Sequence, residues 1–160
     1  MWLPKRFSLF GLALLITACG FEPVYGPSGG GRVLQNTVLV DEPSEQRAYL
    51  LTREIEERLG RSDTPRYALS LDIMTDQQGL AIDREGNIDR FNLIGTVNYA
   101  LRDLTNGQIA TSGTVSSFTS FSGTGTTVVS LAGEQDARER LMTILADQIV
   151  TRLYAANLTR

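Results

Sequence analysis

Residues 67–74, Tyr-Ala-Leu-Ser-Leu-Asp-Ile-Met, and 91–101, Phe-Asn-Leu-Ile-Gly-Thr-Val-Asn-Tyr-Ala-Leu, decide how this chain folds. In the first stretch Tyr67, Leu69, Leu71 and Ile73 alternate with Ala68, Ser70, Asp72 and Met74. Successive side chains of a strand point to opposite faces, so this alternation predicts a half-buried strand. The second stretch obeys the same rule, with Phe91, Leu93, Val97, Tyr99 and Leu101 on one face and Asn92, Thr96, Asn98 and Arg102 on the other. Arg84, Glu85, Gly86 and Asn87 supply turn chemistry between them, and Thr105-Asn106-Gly107 marks a hairpin into a third strand, Ile109 to Phe121. An antiparallel meander is expected. In its last strand the apolar phase begins at Ile109 and Val115 but moves to Phe118, which predicts a bulge near Ser116 and Ser117.

Outward from the meander the period changes. Val33 to Val40 suits a first strand, closed by Asp41-Glu42-Pro43-Ser44. Ser44 can cap a helix whose apolar stripe is Ala48, Leu51, Ile55 and Leu59, with Gly60 at its end. A second helix is expected over Leu131 to Ala156, where Ala137, Leu141, Leu145, Ile149 and Leu153 recur at helical spacing and Glu134 and Asp136 favour the positive end. The expected order is β-α-β-β-β-α. Its simplest burial is an α+β fold, a four-stranded mixed or antiparallel sheet with two helices packed on one face.

The 160 residues are 42% hydrophobic and 21% charged, with net charge −3, no histidine and one cysteine. That is enough for one domain with a real core. Lacking histidine, the chain has no Ser-His-Asp triad, no Cys-His dyad and no His-containing zinc site. A lone cysteine closes no intrachain disulfide, and a slightly acidic chain has no global charge for nucleic acid. No cofactor or metal is expected.

The cysteine has a telling position. Lys5 and Arg6 precede an apolar run, Phe7 to Ile16, too short to span ~30 Å of hydrocarbon as a helix. Residues 1–18 read as a signal peptide. Ile16-Thr17-Ala18-Cys19 resembles the bacterial lipobox, in which a peptidase cuts before a cysteine already carrying diacylglycerol. An ordinary signal peptide cut near Ala18, or a buried free cysteine, is the plainer alternative. Under the lipobox reading the mature protein loses Lys5 and Arg6 and no acidic residue, which takes its charge from −3 to −5. Several acyl chains, palmitate among them, at ~0.8 kcal/mol per buried methylene, anchor it stably. Gly20 stands where Asp resembles an inner-membrane retention signal, which favours the outer membrane. Residues 19–32, with Pro23, Pro27 and Gly29-Gly30-Gly31, read as a lipidated flexible tether, and 33–160 as a single domain.

Catalytic signals are weak. The pairs Glu56/Glu57 and Asp83/Glu85 fall on a charged helix face and a turn, and Gly123-Thr124-Gly125 lacks the lysine of a phosphate loop. Two other features carry information. Leu104 to Gly133 contains no charge, while free surfaces normally intersperse it. This long neutral strand and loop either lies against a protein partner or forms an edge hairpin with a mobile loop. Arg84 and Arg90 flank Glu85 and Asp89, as either an arginine fork for phosphate or a solvated turn.

Residues 19–26, Cys-Gly-Phe-Glu-Pro-Val-Tyr-Gly, resemble the start of mature LPS-assembly lipoproteins of the alphaproteobacterial LptE type. The stretch from Glu134 to Arg140, with Leu145 to Ile149 and Arg152-Leu153, is similar to that family's C-terminal helix. The resemblance brackets the mature chain and implies a non-catalytic outer-membrane subunit of the lipopolysaccharide translocon. In that role the lipoprotein faces the periplasm, sits as a plug in the lumen of the LptD β-barrel, helps the barrel assemble and assists LPS delivery to the outer leaflet. Cys19 is then the lipidation site, Arg84 and Arg90 are candidate LPS contacts, and Thr114, Ser116, Phe118, Ser120 and Phe121 a candidate barrel-facing surface. The rival reading is a stand-alone envelope lipoprotein that binds peptidoglycan or a small ligand.

Overall fold

A computed structural model describes residues 30–43, 45–82, 88–124, 126–156 and 158. Along them run α1 (Gly30–Leu34), β1 (Val38–Val40), α2 (Gln46–Leu59), β2 (Tyr67–Ile82), β3 (Ile88–Asp103), β4 (Ile109–Ser122) and α3 (Thr127–Ala155). The strands form one sheet in the order β1-β2-β3-β4. β1 lies parallel to β2, and the β2-β3-β4 meander is antiparallel, so the sheet is mixed. The expected α+β architecture holds, with one short helix added in front.

Packing follows the alternation. Tyr67, Leu69, Leu93, Val97, Leu101 and Val115 are buried on one face, where they meet Leu51, Ile55 and Leu59 of α2 and the stripe Ala137, Leu141, Leu145, Ile149 and Leu153 of α3. Each fully buried aliphatic side chain contributes roughly 1.5–3 kcal/mol. Length matters as well. A 29-residue helix is ~44 Å long and a 16-residue strand ~50 Å, so α3 can run nearly the full length of the sheet. Its close approach is made at Gly95, where a Cβ would stand 2.8 Å from Leu145 Cδ1 and 3.0 Å from Leu141 Cδ2. Met142, Ala146 and Val150, also buried, widen the apolar stripe of α3.

The two helices are also joined by an ion-paired bridge. Arg58 donates Nε to Asp147 Oδ1 (2.7 Å) and Nη1 to both Glu54 O (2.7 Å) and Glu54 Oε2 (3.0 Å). The hydrogen bond from Arg58 lowers the Glu54 carboxyl below the ordinary glutamate range; burial opposes that shift, and Arg53 adds to it. The β3-β4 turn is closed by Gly107, at φ 74°, whose N–H donates to Asp103 O (2.8 Å). Asp103 Oδ1 accepts the N–H (2.8 Å) and hydroxyl (2.6 Å) of Thr105, and these bonds hold its carboxyl low.

Several local expectations are corrected. The first strand covers only Val38–Val40, because residues 30–34 form α1, which begins within the segment assigned to the tether. α1 places Leu34, fully buried, in the core, and the chain then turns at Asn36 (φ 56°), whose N–H donates to Leu59 O (2.7 Å). α3 starts at Thr127, four residues ahead of Leu131. The bulge is not at Ser116 and Ser117, which pair regularly with Thr96 and Gly95; Ala110 is the extra residue, between the pairs Leu101↔Thr111 and Arg102↔Ile109. No parity change occurs at Ser116 and Ser117, because Thr119 takes the inward position and donates its hydroxyl to Ala137 O (2.8 Å), leaving Phe118 outside. A buried polar group with a partner can stand where an apolar one is expected. Ser44 and the turn 83–87 lie outside the described residues.

Two outcomes follow from this packing. Leu145→Ala is expected to cost about 3 kcal/mol in urea unfolding, and Gly95→Ala about 1 kcal/mol from overpacking. Because the folded-state pKa of Glu54 is depressed, its contribution is full above the unfolded glutamate range and is lost as pH falls through the lower folded value. Glu54→Gln should therefore be roughly 0.5 kcal/mol less stable at pH 7 and lose less stability than the parent on titration from pH 5 to 3.

Candidate interaction surface

Helices cover one face of the sheet, and the opposite face is bare among the described residues. Alternation places Asp72, Met74, Asp76 and Gln78 of β2 on this face, with Asn92, Ile94, Thr96 and Asn98 of β3 and Thr114, Ser116, Phe118 and Ser120 of β4. Register aligns them in cross-strand rows: Asp72-Asn98-Thr114, Met74-Thr96-Ser116, Asp76-Ile94-Phe118 and Gln78-Asn92-Ser120. Short polar side chains within such rows reach one another. Asn98 bridges its row, donating Nδ2 to Asp72 Oδ2 (3.2 Å) and accepting the Thr114 hydroxyl at Oδ1 (2.7 Å). The Thr96 and Ser116 hydroxyls are 3.1 Å apart, and Ser116 also donates to Gly95 O (3.1 Å). Ser120 donates to Asn92 Oδ1 (2.5 Å).

The result is a tied hydroxyl and amide lattice with two apolar side chains standing out of it, Phe118 at 62% exposure and Met74 at 51%. Such a lattice offers donors, acceptors and an aromatic anchor to a partner. Its chemistry is that of contact.

Of the five β4 residues singled out from sequence, the structure brings four together. Thr114, Ser116, Phe118 and Ser120 share the bare face, whereas Phe121 has odd parity, is 7% exposed on the helix side and stacks on Phe91 with ring centroids 5.3 Å apart. Phe121 belongs to the packing and leaves the candidate surface. Arg90 is exposed at the far end of the sheet, in register with Ser122. Arg84 and Cys19 lie outside the described residues. Sequence reasoning missed Met74, Asn92 and Asn98 as parts of this surface. Their even parity was visible, but the rows that join them depend on pairing register, which no single strand encodes.

Comparisons with known proteins bear on the family and the fold. The family model for LptE, described as lipopolysaccharide-assembly, matches residues 36–153. No curated protein sequence gives a significant match. The fold is similar to that of a candidate lipoprotein of Caulobacter crescentus, at TM-score 0.64 and 21% identity over 79% of this chain and 93% of that one. Rare lipoprotein B of Shewanella oneidensis is similar at TM-score 0.59 and 13% identity, over 76% and 94% of the two chains. A minor lipoprotein of Acinetobacter baumannii gives TM-score 0.56 and 16% identity, over 76% and 91%.

Opposite effects are expected at neighbouring aromatic positions. Phe118→Ser should leave unfolding stability within about 0.5 kcal/mol of the parent, while Phe121→Ala should cost about 3 kcal/mol, both read by urea denaturation.

Proposed function

The chain belongs to the LptE lipopolysaccharide-assembly family, and from that premise we propose that it is the lipid-anchored subunit of the lipopolysaccharide translocon, seated as a plug in the LptD β-barrel. Membership makes it an LPS-assembly lipoprotein of the outer-membrane kind; the partner and the seat are the proposal. The observation that carries the proposal is the bare sheet face. A lattice of Ser, Thr and Asn side chains with no charge on β4 suits the polar, hydrogen-bonding wall of a barrel lumen, and Phe118 offers one apolar anchor. Thr114, Ser116, Phe118 and Ser120 are the side chains assigned to that contact.

The anchor works with the surface. Acylation at Cys19 confines the domain to the membrane that holds the barrel, which raises its effective concentration and lets a modest interface suffice. In this reading the protein acts by contact during barrel assembly and LPS delivery. Arg84 and Arg90 are assigned to the LPS phosphates, through charge-assisted hydrogen bonds.

Purification of the untagged lipoprotein in mild detergent tests the main claim. An outer-membrane β-barrel should come with it, and depletion of the lipoprotein should lower surface LPS; a lipoprotein that emerges alone, with surface LPS unchanged on depletion, overturns the plug. Cys19→Ala should accumulate as uncleaved precursor without acyl mass. LPS retention by the Arg84→Ala, Arg90→Ala double variant should fall several-fold, and unchanged retention removes both residues as lipid contacts.

A further inference from the structure

The two edges of the sheet are finished differently. β4 forms one. Its odd-numbered residues bond β3, a row that Gly123 N–H extends to Asp89 O (3.0 Å), so its even-numbered residues turn their backbone groups outward. Two of those outward carbonyls are already taken by α3: Arg152 Nη1 donates to Thr114 O (2.6 Å) and Arg140 Nη2 to Ser120 O (3.4 Å). Arginines of the helix behind it fasten this edge.

β2 forms the other. β1 pairs with Tyr67, Ala68 and Leu69, and the bond from Asp41 N–H to Leu69 O (3.0 Å) is the last rung, while β2 runs on to Ile82. Tyr67 donates its N–H to Thr37 O (3.0 Å), and with Leu69 this shows that odd-numbered residues of β2 direct their backbone toward the β1 side. Leu71, Ile73 and Thr75 therefore present N–H and C=O groups along an edge where no strand lies among the described residues. Their side chains, half-buried, point to the helix side. Leu71 and Ile73 line an open groove there with Asp72 and with Glu45, Arg47 and Ala48 at the start of α2. Arg47 crosses it, donating to Thr75 Oγ1 while paired with Glu45.

We infer that this groove takes an extended segment of another protein, added to β2 as a strand where β1 stops, with alternating apolar and basic side chains. The backbone argument is direct, since unpaired groups on alternate residues are complemented by a strand. The pleat sets the side chains. On the helix side those of the added strand fall beside Leu71 and Ile73, which asks for apolar residues; on the outer face they fall beside Asp72, Met74 and Asp76, which asks for basic ones. Asp41 and Glu42, exposed where β1 leaves the sheet, add negative charge at the entrance. Arg47 moves off Thr75 to admit the strand and keeps Glu45 as its partner. This interface shares Asp72, Met74 and Asp76 with the bare face but lies at the edge opposite the β4 side chains assigned to the barrel, and it does not depend on that assignment.

The test uses the full lipidated chain in detergent and three synthetic decapeptides: alternating Lys and Val, the same composition in two blocks, and alternating Glu and Val. The alternating Lys-Val peptide should bind about tenfold tighter than either control and shift the amide resonances of residues 69–77. Thr75→Pro removes an outward N–H without touching the β2-β3 ladder, and should weaken binding about tenfold. Asp72→Asn with Asp76→Asn, both exposed, gives a second variant that should erase the preference for Lys over Glu. Equal binding of the block peptide, or shifts confined to residues 112–120, overturns the inference. Concentration-dependent shifts at residues 71–75 without peptide, with dimers in sedimentation, would assign the groove to a second copy and overturn it too.

Discussion

The contact between α3 and the inner face of β3 and β4 governs the rest of the molecule. A long helix with a continuous apolar stripe has to lie flat on a twisted sheet, and it can do so only where the strand beneath yields space. Gly95 yields it, letting Leu141 and Leu145 sit directly on the strand backbone. Once α3 is seated, Met142, Ala146 and Val150 extend its apolar stripe, Arg58 ties α2 to Asp147, and Leu34 joins the same core. α1 and α2 both pack against α3.

One-sided burial has a cost, which is a second sheet face with no apolar cover. The chain meets it with side chains that satisfy one another. Asn98 links Asp72 to Thr114, Ser120 bonds Asn92, and Ser116 bonds both Thr96 and the Gly95 carbonyl. On β4 this face is polar through hydroxyls alone, its carboxylates Asp72 and Asp76 standing on β2, so Leu104 to Gly133 can run uncharged through an edge strand. Charge on that edge comes instead from α3, through Arg140 and Arg152. Where α3 does not reach, along β2 beyond Leu69, the edge stays open. Protection and exposure of the two edges thus have the same origin.

The alternation at 67–73 and 91–101, the stripes of both long helices and the turn at Gly107 were legible because each is a local pattern with a fixed period. Departures fall where a distant group decided. Val33 to Leu34 looks like strand by composition, yet Leu34 serves the core better from a helix that ends against Asn36 and Leu59. Phe118 looks like the core residue and Thr119 like the solvated one; a bond from the Thr119 hydroxyl to the second lone pair of the Ala137 carbonyl reverses them. Phe121 looks like part of an outer surface until Phe91, brought opposite by register, gives its ring a half-buried neighbour to stack on.

By itself the sequence determined the identity of most elements, the face each buries, and the family resemblance carried by residues 19–26 and the last helix, since all of these are written in spacing along one chain segment. Tertiary structure alone decided which strand edge is closed, which hydroxyls join into a lattice, and which aromatic of β4 meets solvent. These depend on register and on the close approach at Gly95, which juxtapose residues 16 to 50 positions apart, and no local period carries that information.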